Sequence, residues 1–289
     1  MIQIGFIGLG NMGQFMAKHL CENQYEVFGY DLDKTNYKKF KDNGIIMNET
    51  ISEVSSNKNI IITMLPNGSI VDQVWSNILK VAKPNTLIVD CSTIDINTTT
   101  KIHNLAKQKM MKSLDAPVSG GTVGAKDATL TFMVGGNKNA YEEMEPLFNV
   151  MGKKSILCGE AGSGQSIKMC NNLLLAITMC GLGEAINLAE SLNLSKQKFY
   201  DVISTSTGSC WALNNYCPMP NIGPNSPADN DFQPGFSSNL MLKDLSIAID
   251  AADQTNTNLK LGKIVKNKYK EIINKNNGNL DFSALVKET

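Results

Sequence analysis

Residues 2–13 read Ile2-Gln3-Ile4-Gly5-Phe6-Ile7-Gly8-Leu9-Gly10-Asn11-Met12-Gly13, and the rest of the chain can be organised around them. Ile2, Ile4, Phe6 and Ile7 make an apolar run of strand length, which ends in a Gly-x-Gly-x-x-Gly turn and leads into a helical pattern. In that setting each glycine has a task. Gly8 permits the tight turn, Gly10 lets the backbone approach a pyrophosphate, and Gly13 lets helix and strand pack closely. The N-terminus of the helix then faces the phosphate charge. Alone, the pattern also suits a glycine-rich structural turn. The next apolar run, Glu26 to Tyr30, favours the nucleotide reading because it ends in Asp31, 18 residues after Gly13. An acid there hydrogen-bonds the ribose hydroxyls of NAD and repels the extra phosphate of NADP. A site for NAD is therefore expected at Gly8, Leu9, Gly10, Asn11, Met12, Gly13 and Asp31.

Working outward, short apolar runs alternate with segments of helical length as far as about residue 160: EVFGY, GIIM, NIIITML, TLIVDC, MKSLDAP and TLTFMVGG. This alternation predicts a Rossmann-like, doubly wound parallel sheet with helices on both faces. Ligands of such sheets sit beyond the carboxyl ends of strands, so Met64-Leu65-Pro66 and Asp90-Cys91-Ser92-Thr93 should border the cofactor. As local structure, Pro66 would start one helix and Ser92 or Thr93 would cap the next. Past Gly164 the strand-like runs stop. A long helix is expected over 163–192, apolar on most faces and therefore buried, followed by helices at 195–204, 237–253, 259–273 and 282–287. Residues 210–236, rich in Pro, Asn and Gly, form an irregular stretch of the kind that shapes pockets or interfaces. The expected division is a nucleotide-binding domain at 1–162 and an all-α domain at 163–289, joined by the long central helix, the second serving substrate binding and oligomerisation.

Composition narrows the function. The chain has 289 residues, ample for two cores, with 27 basic and 27 acidic residues. That balance offers no field to gather a nucleic acid or an anionic membrane. The seven cysteines are an odd number with no C-x-x-C pair, as expected of free thiols in a reducing compartment, and no metal site is expected. The strand pattern begins at Ile2, leaving no room for a targeting peptide unless one has been removed. The apolar runs near 60–65 and 173–180 fall short of the ~20 residues that span a bilayer. The expectation is a cytoplasmic protein, or one of the mitochondrial matrix after loss of a transit peptide.

Hydride can leave an alcohol carbon only if a base takes the hydroxyl proton. The two histidines, His19 and His103, fall in expected helices of the first domain, where surface or packing roles suit them better than catalysis. Lys168, one turn into the long helix, is flanked by Met169, Cys170 and the run 173–176; burial there would lower its pKa toward the useful range. Asn172, four residues on, shares its helix face, so the two can hold one hydroxyl from two directions. By composition alone, a solvated lysine on a helix edge is the favoured reading of Lys168. Asp115-Ala116-Pro117-Val118-Ser119-Gly120-Gly121 closes a strand with a hydroxyl and two unobstructed backbone amides, a concavity suited to a carboxylate, although such segments are often only turns.

Together these segments resemble the beta-hydroxyacid dehydrogenase family. The matching motifs are Gly5 to Gly13, Asp115 to Gly121, Gly162 and Gly164 leading into Lys168-Met169-Cys170-Asn171-Asn172, and Leu242-Lys243-Asp244-Leu245. The stretches Ser209-Cys210-Trp211, Asn214-Asn215-Tyr216 and Gln233-Pro234-Gly235-Phe236 resemble its hydroxyisobutyrate branch. The resemblance implies NAD-dependent oxidation of a small 3-hydroxy acid in valine catabolism, with Lys168 as catalytic acid/base assisted by Asn172. It implies that Ser119, Gly120 and Gly121 hold the substrate carboxylate, that Leu65, Pro66, Thr93 and Lys243 contact the cofactor, and that the chain forms a homodimer or homotetramer. Trp211 and Phe236 are candidates to surround the substrate methyl, with core packing an equal alternative. Without the resemblance, Lys243 and Asp244 read as the polar face of an amphipathic helix. One departure is Cys91, where the family pattern has Ser. Two rivals are a semialdehyde reductase acting on tartronate semialdehyde, and a non-catalytic nucleotide-binding interaction protein; retention of Lys168, Asn172 and the Ser119 turn argues against the second.

Overall fold

The strand-forming runs pair as one sheet in the computed structural model, which describes residues 2–288. The chain divides into two compact units, 1–168 and 169–289. In the first, strands β1 (Gln3–Ile7), β2 (Glu26–Tyr30), β3 (Ile46–Met47), β4 (Ile60–Thr63), β5 (Leu87–Asp90) and β6 (Lys112–Asp115) lie parallel in the order β3-β2-β1-β4-β5-β6. β4 and β5 are buried at every residue, the signature of central strands covered on both faces. Alternate side chains feed two cores: Ile60 and Ile62 join one with Phe6, Val27 and Leu114, while Ile61 joins the other with Ile7, Ile88 and Trp75.

The fully parallel sheet expected above is corrected at its far edge. β7 (Val118–Ser119) and β8 (Leu130–Gly136) enter with β8 antiparallel to both β6 and β7, while β9 (Gly152–Gly159) pairs parallel to β8. β6 and β7 are two lengths of one path along β8, interrupted at Ala116-Pro117, where proline has no N–H to contribute to a ladder. The interruption turns Ser119 onto the short segment before the next helix.

Helices α1 (Gly13–Glu22), α2 (Tyr37–Asp42), α3 (Ile51–Ser55), α4 (Gly68–Val81), α5 (Ile96–Gln108), α6 (Gly121–Lys126) and α7 (Lys138–Met151) complete the unit. Two expected helix starts need correction. α4 is capped by Asn67, whose side chain accepts from Ile70 N, and α5 by Asp95, which accepts from Thr98 N. Pro66 and Thr93 lie outside these helices, and the Ser92 hydroxyl is already engaged with Asp90.

α8 (Ser163–Ser191) runs out of the first unit into the second, where α9 (Lys196–Ile203), α10 (Trp211–Asn214), α11 (Ser238–Gln254) and α12 (Lys260–Asn274) follow, with 3-10 turns at Pro227–Asn230 and Phe282–Glu288. The last of these replaces the α-helix expected there. Ala176, Met179, Cys180, Leu182 and Ile186 of α8 pack on Met241, Leu245, Val265 and Tyr269. The burial expected from its apolar composition is corrected: Leu174 and Leu188 are each 62% exposed, and Ile167 and Gly181 are also exposed. The reason is that the chain's own elements cover only part of its circumference. By length and composition alone α8 could cross a bilayer, unlike the short runs read from sequence. The irregular stretch 210–236 is tied to the chain's end by Asp281, which accepts from Tyr216 Oη and from the amides of Gly235 and Phe236.

Candidate active site

The strand order reverses between β1 and β4, and the glycine turn and Leu65-Pro66 stand at the carboxyl ends of those two strands. Gly8 has φ of +95°, and a Cβ on it would lie 2.2 Å from the Met64 carbonyl oxygen; at Gly13 one would lie 1.9 Å from Gly8 O. Both positions therefore require glycine for steric reasons. Gly10 differs, since a Cβ there would meet nothing within 4 Å. Its open side is a cradle that a pyrophosphate can fill, so these residues fit a dinucleotide.

Asp31 follows β2, and its Oδ2 accepts from Leu9 N at 2.6 Å while Oδ1 accepts from Asp33 N at 2.8 Å. The carboxylate is thus fastened to the glycine turn, and its remaining lone pairs can accept from ribose hydroxyls. The ends of β4 and β5 are linked in a similar way. Leu65 N donates to Ser92 Oγ (2.8 Å), and Ser92 Oγ and Thr63 Oγ1 donate to Asp90 Oδ1 at 2.6 and 2.7 Å. Trp75 Nε1 donates to Thr63 Oγ1. Full burial pushes the Asp90 carboxyl up to about 6, against the opposing effect of the Ser92 and Thr63 bonds. Its Oδ2 has no hydrogen-bond partner among the described residues.

Ser119 ends β7 as a half-buried residue, and Gly120 (φ +132°) and Gly121 (φ +60°) make the turn into α6. A Cβ on Gly121 would meet nothing within 4 Å, so the amides of this turn are open to an anion. In the same unit Asp115 is engaged at the start of α8. Its Oδ1 accepts from Gly162 N (2.7 Å) and lies 3.2 Å from His103 Nε2, while its Oδ2 accepts from Gln165 N (2.9 Å). His103 also contacts Ser113 Oγ at 2.6 Å, so this imidazole is enclosed in a structural network.

Lys168 is 8% exposed and Asn172 2%. The two residues stand one turn apart on α8 and are buried despite their polarity. Asn172 Nδ2 donates to Asp244 Oδ2 at 2.5 Å, and its Oδ1 accepts from Asn171 Nδ2 at 2.9 Å. The side-chain amide of Asn172 carries both donor and acceptor capacity of the kind a substrate hydroxyl needs. Asp244 was missed in the sequence, where it read as part of a polar face. The signal was nevertheless present: Met241, Asp244, Leu245, Ala248, Ile249 and Ala252 form the buried stripe of α11, so an acid occupied a core position. Lys243, partly exposed beside it, has its Nζ 3.2 Å from Asp244 Oδ1. Trp211 is 51% exposed and stacks on Tyr216 (5.3 Å, 22°). Phe236 meets Phe282 edge-on and packs against the second unit's core. Among the described residues no three His, Cys, Asp or Glu side chains gather as a metal site would require.

Two family models match the chain: the NAD binding domain of 6-phosphogluconate dehydrogenase over residues 3–159, and the NAD-binding domain of NADP-dependent 3-hydroxyisobutyrate dehydrogenase over 162–289. A probable 3-hydroxyisobutyrate dehydrogenase of Mycobacterium tuberculosis is 42% identical, the match covering 99% of this chain and 97% of that one. The chain belongs to the 3-hydroxyisobutyrate dehydrogenase family. The mitochondrial 3-hydroxyisobutyrate dehydrogenase of Drosophila melanogaster is 39% identical over 98% of this chain and 87% of its own length. The solved structure of the M. tuberculosis 3-hydroxyisobutyrate dehydrogenase with L-serine superposes with a TM-score of 0.94 at 41% identity, covering 100% of this chain and 99% of that one. Membership of the 3-hydroxyisobutyrate dehydrogenase family makes this an oxidoreductase with a nicotinamide dinucleotide as cofactor. Cys91, the departure from the family pattern, directly follows β5. Its side chain is fully buried in the first core, where burial drives the thiol well above its usual pKa, and the neighbouring Ser92 makes the polar link between strands.

Proposed function

We propose that this protein oxidises 3-hydroxyisobutyrate to its semialdehyde, with Lys168 as the general acid/base and NAD as the hydride acceptor. The observation that carries the reading is the burial of Lys168 one turn from Asn172, whose amide is oriented by Asp244. Bound NAD would supply the acceptor for the hydride that leaves the alcohol carbon. Lys168 accepts the hydroxyl proton, so the carbon loses two electrons and one hydrogen nucleus while the oxygen keeps its bond to carbon as a carbonyl. Asn172 uses its side-chain amide to hold the hydroxyl toward Lys168. Ser119, Gly120 and Gly121 bind the carboxylate with a hydroxyl and open amides, and Trp211 shapes the region of the substrate methyl.

Gly8, Leu9, Gly10, Asn11, Met12 and Gly13 hold the dinucleotide with Leu65, Pro66, Thr93 and Lys243, while Asp31 selects NAD over NADP by charge. L-serine, present with the M. tuberculosis relative, supports the substrate class. It has a carboxylate, one substituent on the middle carbon and a primary hydroxyl, as 3-hydroxyisobutyrate does. We further propose a soluble homodimer or homotetramer of the cytoplasm or mitochondrial matrix, without nucleic-acid or membrane partners. The exposed heptad-spaced Ile167, Leu174, Gly181 and Leu188 support self-association.

The test is to mix the purified protein with NAD or NADP and a panel of 3-hydroxy acids, following absorbance of the reduced nicotinamide. The highest kcat/KM is expected with 3-hydroxyisobutyrate and NAD. A higher value for glycerate, or for tartronate semialdehyde in the reverse direction, would reassign the substrate.

A further inference from the structure

Gln165 occupies the first turn of α8, three residues before Lys168, and is fully buried. Its Nε2 donates to Ser92 O at 2.7 Å and its Oε1 accepts from Ile94 N at 3.2 Å. One side-chain amide therefore grips the backbone on both sides of Thr93. The same helical turn is held from its own backbone by Asp115, which takes the amides of Gly162 and Gln165. Packing leaves little slack: a Cβ on Gly164 would lie 2.2 Å from Met133 O and 2.8 Å from Asp115 Oδ2. Asp115 is thus the anchor, and Gln165 is the span from that anchor to the end of β5.

We infer that Gln165 is a positioning residue that fixes the spacing between the Lys168 amine and the Thr93 turn. The inference rests on the assignments of Lys168 as acid/base and of Thr93 as a cofactor contact. Three residues of helix advance about 4.5 Å, so any shift of the first turn passes directly to Lys168. A misplacement of about 1 Å at a reacting group can cost on the order of a hundredfold in rate. The side-chain type matters as much as its size. Only a neutral group with one donor and one acceptor satisfies a carbonyl and an N–H two residues apart. Alanine would leave both backbone groups buried without partners, and a carboxylate would set lone pairs against Ser92 O. A protonated carboxylic acid would again supply one donor and one acceptor.

The experiment uses full-length Gln165→Ala and Gln165→Glu, with Lys168→Ala as control. Lys168 reactivity is read by competitive acetylation with acetic anhydride and peptide mass spectrometry, which needs no substrate. Turnover is read as kcat and KM from pH 5.5 to 9. Gln165→Ala is expected to change Lys168 acetylation several-fold relative to surface lysines such as Lys38, and to lower kcat on the order of 10- to 100-fold with the KM for NAD near wild type. In Gln165→Glu, burial and the neighbouring Asp115 carboxylate favour the protonated acid. Its kcat relative to wild type should therefore rise as pH falls, which a general loss of stability would not produce. If Gln165→Ala does not fold, that ratio decides. Unchanged Lys168 acetylation, or a Gln165→Glu to wild-type ratio flat with pH, overturns the inference. Altered acetylation combined with normal turnover in Lys168→Ala would instead sink the assignment of Lys168 and leave the positioning intact.

Discussion

The Asn172–Asp244 contact can be tested by a double-mutant cycle. Both residues are at least 97% buried, and the Nδ2 to Oδ2 distance is 2.5 Å, so solvent does little to weaken the bond. Hydrogen bonds to a charged group are worth about 1.5–3 kcal/mol, and removing one partner also leaves the other buried without its mate. Asp244→Ala orphans an amide N–H, Asn172→Ala orphans a carboxylate oxygen, and the double variant removes both groups at once. Urea unfolding, without cofactor, should therefore give single-variant losses whose sum exceeds the double-variant loss by about 1.5–3 kcal/mol. Lys243→Ala measured alongside isolates the share due to the ion pair. In turnover, Asp244→Ala should lower kcat because Asn172 is no longer held in one orientation. An additive cycle, within about 0.5 kcal/mol, would refute the claim that Asp244 orients Asn172.

Gly10→Ala should fold with stability close to wild type, since the added methyl meets open space, yet raise the NAD Kd at least about tenfold, or 1.4 kcal/mol, by calorimetry. Gly13→Ala should impair folding as well, because its methyl would collide with Gly8 O. Asp31→Asn should improve kcat/KM with NADP relative to NAD, and an unchanged ratio would remove Asp31 from cofactor selection. Asp90 provides a pH test: its folded-state carboxyl is raised to about 6 against an unfolded value near 3.9. The native state thus holds a proton that the unfolded chain has lost between those values, so stability falls as pH rises through that window. The stability of wild type relative to Asp90→Asn should drop by about 2 kcal/mol from pH 4 to 6.5, and a flat difference would contradict the burial argument.

The glycine turn, the alternation of strands with helices and the long α8 were legible because each is a local pattern: φ-demanding glycines, apolar runs and a helical period. The reversal of β8 against β6 was not, since strand direction depends on pairing between residues distant in sequence. The caps at Asn67 and Asp95 were misread for a related reason. Ser92, an acceptable local cap, is drawn away by Asp90 and Leu65 N. Gln165 carries no motif a reader could recognise, because its partners are backbone groups 71 and 73 residues away. Asp244 could have been found from its place in the α11 stripe. The exposed face of α8 was obscured by the helix's uniform apolarity, which does not reveal how much of it one chain can cover.

The most direct measurement compares Lys168→Ala with wild type, using saturating NAD and 3-hydroxyisobutyrate and recording initial rates as absorbance of the reduced nicotinamide, with NAD affinity measured in parallel. A fall in kcat of roughly 10²–10⁴-fold, the usual scale for losing a general acid/base, is expected at unchanged NAD affinity if Lys168 carries the proton. Near-normal turnover in the variant would contradict that role.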